Sequence, residues 1–197
     1  MRSVEDKGYN VTVYPGVYPP SEDTYLLIDA LDVNSEDVFL EVGCGAGLVT
    51  MSVAKKAYRV VSVDHSFDAV RNTLENLIRN DLYDGCHVIE SDLLGAFSPS
   101  FKFSLIVFNP PYLPEDDERT DLDHALIGGT KGTEMTQRFI RQAVEHLVKG
   151  GRIFTVVSNL TDIDSIKLTM KECGLTVEVA SESCLFFEKI QVLKGTL

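Results

Sequence analysis

The run Phe103-Ser104-Leu105-Ile106-Val107-Phe108, cut off by Asn109-Pro110-Pro111-Tyr112, constrains the fold more than any other stretch. Its aromatic and β-branched content and its length are those of a strand buried on both faces. Two prolines forbid continuation as helix or ladder, and each pushes the residue before it towards an extended backbone. Asn109 is therefore delivered at the carboxyl end of a buried strand, the edge at which open α/β sheets bind ligands. Its carboxamide oxygen and a proline carbonyl are both acceptors, so together they can take both hydrogens of an NH2 group, with the Tyr112 ring as a flat face beside them. The arrangement suits a planar amide or aromatic amine, whose delocalised lone pair makes it a poor nucleophile until it is polarised. The same residues also suit a plain strand-ending turn with Asn109 as local cap.

A second strand, at 37–42, runs into Gly43-Cys44-Gly45-Ala46-Gly47 before a helical segment at 48–56. Glycines there let the backbone approach a ligand and turn tightly into a helix. The pattern Glu41-x-Gly-x-Gly-x-Gly47 differs by one residue from the dinucleotide fingerprint, and no Gly-Lys-Ser/Thr ending marks a phosphate-cradling loop. Without a nearby cation, the loop suits an uncharged or zwitterionic adenosyl ligand better than a triphosphate. The strand at 59–63 ends in Asp64, about 20 residues past the glycines, where an acid accepts from a ribose diol. The strand at 87–90 ends in Ser91-Asp92, and Asp92 is placed to accept from an adenine amino group or to sit as an ordinary surface acid. Helices are expected at 67–80, with Val70, Leu74, Leu77 and Ile78 as its core stripe, at 133–149 up to Gly150-Gly151, and at 160–173. Further strands are expected at 152–157, 175–180 and 184–193, with a short one at 11–14 before Pro15-Gly16. The sum is a mostly parallel sheet closing in an antiparallel hairpin. Ser21 reads as the N-cap of a helix running to Leu31.

At 197 residues the chain is expected to form one domain, 1–197. The net charge of −12, with no lysine or arginine cluster, disfavours nucleic acid as the main substrate. Cys44, Cys86, Cys173 and Cys184 are widely spaced, as are His65, His87, His124 and His146, so neither a metal site nor a disulfide framework is expected. With no apolar run of membrane length, the expected location is cytoplasmic. The acidic run 115–118 reads as a solvated loop.

Glu41-x-Gly-x-Gly-x-Gly47, Asp64, Asp92 and Asn109-Pro-Pro-Tyr112, each at a strand end and in this order, resemble the S-adenosylmethionine-dependent methyltransferases. The Asn-Pro-Pro-Tyr motif narrows the resemblance to enzymes that methylate planar nitrogens, adenine N6 or glutamine N5. Within these the chain is similar to the HemK-type protein glutamine methyltransferases, in their short archaeal and eukaryotic branch. Three features carry the narrower match: Tyr18-Pro-Pro-Ser-Glu-Asp-Thr24, the Gly128-Gly-x-x-Gly132 turn, and the shortness of the chain ahead of the first motif. The resemblance spans about residues 10–193. It implies an α/β, Rossmann-like fold with a seven-stranded mostly parallel sheet, an antiparallel carboxyl-terminal hairpin and helices on both faces. It also implies methyl transfer from S-adenosylmethionine, leaving S-adenosylhomocysteine, to a glutamine amide in the Gly-Gly-Gln motif of a class I release factor. Glu41, Gly43, Gly45 and Gly47 would line the methionine end of the cofactor, with Asp64 on the ribose and Asp92 on the adenine. Asn109, Pro110, Pro111 and Tyr112 would hold the substrate amide, Asn109 also lying against the cofactor, and Ser21, Glu22, Asp23 and Thr24 would wall the pocket. A small zinc-binding activator subunit would cover an apolar edge. The competing readings are an adenine N6-methyltransferase acting on a flipped base and a non-catalytic S-adenosylmethionine-binding subunit.

Overall fold

The computed structural model describes residues 2–111, 132–185 and 188–197. It opens with a hairpin of β1 (Arg2–Asp6) and β2 (Tyr9–Val13), joined by Lys7 and Gly8 with φ of 45° and 81°. Two positive φ angles in a two-residue loop match the right-handed twist of the strands it joins. There follow α1 (Glu22–Ala30), β3 (Val38–Val42), α2 (Leu48–Val53), β4 (Arg59–Asp64), α3 (Phe67–Arg79) and β5 (Cys86–Glu90). The second half contains β6 (Phe103–Phe108), α4 (Glu134–Glu145), β7 (Leu147–Ser158), α5 (Ile163–Glu172), β8 (Thr176–Leu185) and β9 (Glu188–Thr196).

Among the described residues, seven strands form one sheet in the order β5-β4-β3-β6-β7-β9-β8. The pairs from β5 to β7 are parallel, and β9 lies antiparallel to both β7 and β8. Alternate residues feed opposite faces, as the two-residue period of a strand requires. Phe39, Leu105, Val107, Phe154 and Val156 pack with Leu27, Leu48, Met51 and Leu77 from α1, α2 and α3. Leu40, Ile106, Phe108, Ile153 and Val157 pack with Phe139, Ile140, Ile166 and Met170 from α4 and α5. Helices thus cover both faces, which is why the central strands read as continuous apolar runs. Strand β3 lies between β4 and β6, so the order reverses there, and the carboxyl ends of β3 and β6 frame the crevice where such sheets bind ligands.

Several boundaries differ from expectation. Helix α4 ends at Glu145, not at Gly150-Gly151; β7 starts at Leu147 and carries the glycines inside it, beside an irregular register between Phe103 and Leu105. A Cβ on Gly151 would lie 2.8 Å from Val148 O, so the glycine permits the irregularity instead of stopping a helix. Helix α5 starts behind Asp162, whose Oδ1 accepts from the Ser165 N–H at 3.0 Å, and not at Leu160. Cys184 belongs to β8, not to the last strand, and the strand β1 has no counterpart in the expected elements. The expected core stripe of α3 is the largest departure. Leu77 is fully buried, but Ile78 is 56% exposed, and the buried face of α3 carries Asn72, Thr73 and Asn76.

Candidate active site

The glycine loop leaves β3 with left-handed φ angles at all three glycines, 70° at Gly43, 52° at Gly45 and 83° at Gly47. Gly47 is the most constrained: a Cβ there would lie 2.9 Å from Thr73 Cγ2 and Oγ1 on α3. At Gly43 it would meet Phe108 Cε2 at the end of β6, 3.1 Å away. The loop is pinned on several sides. Val63 O accepts from the N–H groups of Gly43 at 2.8 Å and Cys44 at 3.1 Å. Thr73 Oγ1 donates to Gly45 O at 3.0 Å, and Asn76 Nδ2 to Ala46 O at 2.8 Å.

Above this loop lies a cavity of about 700 Å³, within the range of small-molecule sites. Its lining contains Thr24, Glu41, Gly43, Gly45, Gly47, Asp64, Asp92, Asn109, Pro110 and Pro111, every cofactor or substrate position expected from the sequence that is described. Tyr112 lies outside the described residues. Of the segment expected to wall the pocket, Thr24 reaches it, while Ser21 caps α1 and buried Asp23 accepts from the Tyr18 hydroxyl at 3.1 Å and the Thr24 N–H at 2.6 Å. Tyr18, the first residue of the matched segment 18–24, and its neighbour Val17 also line the cavity, as do Leu93 and Met135, which carried no sequence signal.

Two buried carboxyls face the glycine loop. Glu41 is 4% exposed and accepts from the Thr50 hydroxyl of α2. Burial pushes its pKa up to about 8, against the pull of the Thr50 hydrogen bonds and with the charge of Asp64 adding to the rise. Asp64, at the end of β4, accepts from the Gly45 N–H at 3.0 Å and the Ser66 N–H at 2.9 Å. Asp92 lies at the exposed rim, paired with Arg138 of α4, a partner 46 residues away that the sequence did not disclose. The neighbouring Leu93 takes φ of 48°, a costly conformation for a side chain of its kind. The loop is held there by the Ser91 hydroxyl donating to Leu93 O at 3.0 Å and by Gln142 Oε1 accepting from the Leu94 N–H at 3.2 Å.

At the end of β6, Asn109 Oδ1 is buried and has no hydrogen-bond partner among the described residues. Such an acceptor costs about 1–3 kcal/mol when it is left unpaired, so a donor on a ligand would recover that energy. No lysine or arginine is among the cavity's described lining residues. Glycine backbone on the floor, carboxyls in the walls and one orphaned amide oxygen fit a nucleoside-sized ligand that is uncharged or zwitterionic, together with an NH2 donor.

The chain matches the family described as methyltransferase small domain over residues 9–186. It is 37% identical over 197 residues to a putative protein N5-glutamine methyltransferase of Methanocaldococcus jannaschii, an alignment covering 98% of each chain. It is 30% identical to the methyltransferase HEMK2 of Homo sapiens over 93% of this chain and 91% of the human protein. Among solved structures it resembles a chain of the E. cuniculi Mtq2–Trm112 complex, which is responsible for methylation of the eRF1 translation termination factor. The TM-score is 0.73 at 26% identity, covering 92% of this chain and 98% of the matched one.

Proposed function

The chain belongs to the methyltransferase small-domain family, in its HemK-type glutamine methyltransferase branch, and from that premise we propose that it methylates the side-chain amide nitrogen of a protein glutamine. The methyl donor in this reading is S-adenosylmethionine and the substrate is the Gly-Gly-Gln glutamine of a class I release factor. The observation that carries it is the orphaned Oδ1 of Asn109 at the lip of a cavity whose walls suit an adenosyl ligand.

When bound, S-adenosylmethionine would supply an electrophilic methyl group, which would pass to the amide nitrogen as sulfur kept the electron pair of the broken C–S bond and the nitrogen lost a proton to solvent. The chain's own residues bind and orient. Asn109 Oδ1 and the Pro110 carbonyl accept the two hydrogens of the glutamine NH2, which pulls the nitrogen lone pair out of amide conjugation. Pro110 and Pro111 keep that corner stiff, and Tyr112 is assigned the flat face against the amide. Glu41 would hold the amino-acid end of the cofactor over Gly43, Gly45 and Gly47, Asp64 the ribose hydroxyls and Asp92 the adenine amine, with Thr24 closing the pocket. Alignment of this kind is worth about 7–11 kcal/mol of barrier, enough to dispense with a strong base.

Like Mtq2, the chain is expected to work with a small partner subunit, and zinc in that partner is expected from the family resemblance alone. Among the described residues, strand β5 ends the sheet with β4 as its neighbour, and its outer side offers backbone for such a contact.

The test is transfer of labelled methyl from S-adenosylmethionine, offering a release factor and a DNA duplex side by side, with and without a co-purified small partner. Label on the factor that vanishes when its Gly-Gly-Gln glutamine is replaced supports the reading; label on DNA alone overturns it in favour of the adenine reaction. Asn109→Ala should leave S-adenosylhomocysteine affinity within about threefold while turnover falls on the order of 100-fold, as for loss of one preorganised hydrogen-bonding group.

A further inference from the structure

Three asparagines, Asn72 and Asn76 on α3 and Asn80 at its C-cap, recur every four residues and engage the backbone of the β2 segment at every second residue. Asn80 Oδ1 accepts from the Asn10 N–H at 2.8 Å, Asn76 Oδ1 from Thr12 at 2.9 Å and Asn72 Oδ1 from Tyr14 at 2.8 Å. In return, Asn80 Nδ2 donates to Asn10 O at 3.0 Å, while Asn76 and Asn72 both donate to Thr12 O, at 2.8 and 2.7 Å. The match is geometric: four helical residues rise about 6 Å and two strand residues about 6.6–6.8 Å. The helix therefore stands in for a neighbouring strand along an edge of β2. Asparagine is a poor helix former, so Asn72 and Asn76 in the interior of α3 are not there for the sake of the helix itself.

The ladder ends at the cavity. Beyond Tyr14, Pro15 and Gly16 form a turn closed by the Val17 N–H donating to Tyr14 O at 3.2 Å; proline followed by glycine at φ 79° is the signature of type II. The turn drops Val17 and Tyr18 into the cavity wall, with Tyr18 O 3.6 Å from where a Gly45 Cβ would lie. On the other side, Asn76 Nδ2 also donates to Ala46 O at 2.8 Å, inside the glycine loop. One fully buried amide thus touches both the strand that carries the roof and the loop that forms the floor.

We propose that Asn76 is a positioning residue of the cofactor cavity, setting the spacing between its roof, Gly16–Pro20, and its glycine floor, with Asn72 fixing the roof's entry at Tyr14. The inference rests on the adenosyl-ligand reading of the cavity, and S-adenosylhomocysteine is the probe. By calorimetric titration, Asn76→Ala should weaken its binding at least tenfold, while kcat at saturating S-adenosylmethionine stays within threefold of the parent. Asn80→Ala removes the rung farthest from the turn and does not touch the loop; it should lower Tm yet leave affinity within twofold. In the unsubstituted protein, saturation with S-adenosylhomocysteine should slow hydrogen exchange at the Thr12 and Tyr14 amides by more than at Asn10, a measurement that needs no variant to fold. Unchanged affinity in Asn76→Ala, an equal loss in Asn80→Ala, or exchange at Thr12 and Tyr14 that ignores the ligand overturns the proposal. Failure of the parent protein to bind the probe would remove the cofactor reading itself, and this inference with it.

Discussion

Glu41 is a carboxyl kept from water near the end of a central strand, and its protonation makes stability depend on pH. Its ordinary pKa of 4.5 is raised to about 8 by burial, so between those values the folded, ligand-free protein holds a proton that the unfolded chain releases. Stability therefore falls as pH rises through that window and levels off above it. Glu41→Gln removes the slope. The Tm advantage of the variant over the parent should be small near pH 5 and grow to several degrees by pH 8, as scanning calorimetry of the ligand-free proteins would read. A difference that is flat with pH would show that Glu41 is ionised in the fold. If Glu41 receives the ligand's ammonium as proposed, the same substitution should also weaken S-adenosylhomocysteine binding. The place of Glu41, Asp64 and Asn109 on the cavity wall was legible because each is a polar group at or next to the end of an apolar run, and a parallel sheet collects such ends at one edge. The pairing of Asp92 with Arg138 was not legible, because the two meet only when α4 packs beside the loop after β5.

Elements show how a correct helix can be given the wrong face. The span of α3 was readable from its spacing, but the apolar stripe pointed to Val70 and Ile78 as well as Leu77, while the packed face sets Asn72, Thr73 and Asn76 beside Leu77. Asparagines four apart are visible in the sequence, yet they read as solvated surface until a strand edge is there to receive them. Helix α4 shows the converse, since Gly150-Gly151 reads as a helix stop and serves instead as an irregularity inside β7. The glycine loop was legible in kind but not in its reason at Gly47, which is the Thr73 side chain 2.9 Å from an added Cβ. Gly47→Ala combines that clash with a φ of 83° and should cost about 1–3 kcal/mol in urea unfolding. Adding Thr73→Ala removes the two nearest atoms and should recover part of the loss. Strict additivity of the two substitutions would mean that the contact is not what selects glycine.

The whole molecule divides its work between the two edges of the sheet. Strand existence was legible, since strands covered on both faces read as apolar runs, but strand order depends on which crossovers pass over which face and has no local signature. The carboxyl edge carries the cavity; the amino edge carries an ionic clasp that no short-range pattern announces. Arg152 of β7 donates through Nε to Asp32 Oδ1 at 2.6 Å and through its terminal nitrogens to Asp37 Oδ2 at 2.8 Å and Oδ1 at 3.2 Å. Lys194 of β9 reaches Asp32 Oδ2 at 3.0 Å, and Ser104 of β6 donates to Asp37 Oδ1 at 2.6 Å. The clasp ties the chain before β3 to β6, β7 and β9. Burial, the largest single influence, would raise the two carboxyls, but their donors taken together outweigh it: Arg152 and Lys194 on Asp32, and Arg152, Ser104 and the Asn34 N–H on Asp37, hold both below their usual value of 3.8. Their contribution to stability is present above that value and is lost as pH falls through the lowered one. Arg152→Met leaves Asp37, 2% exposed, with Ser104 and the Asn34 N–H as its remaining donors. The expected cost is about 3 kcal/mol, the low end for breaking a buried pair. That corresponds to a Tm lower by roughly 6–12 °C in a chain of this size. The loss should shrink as pH falls through the lowered pKa values of Asp32 and Asp37, where the partners become protonated in the parent as well. Because the cavity lies at the opposite ends of the same strands, S-adenosylhomocysteine affinity measured well below Tm should not change. A Kd that rises with the fall in Tm would show the two edges to be coupled through the sheet.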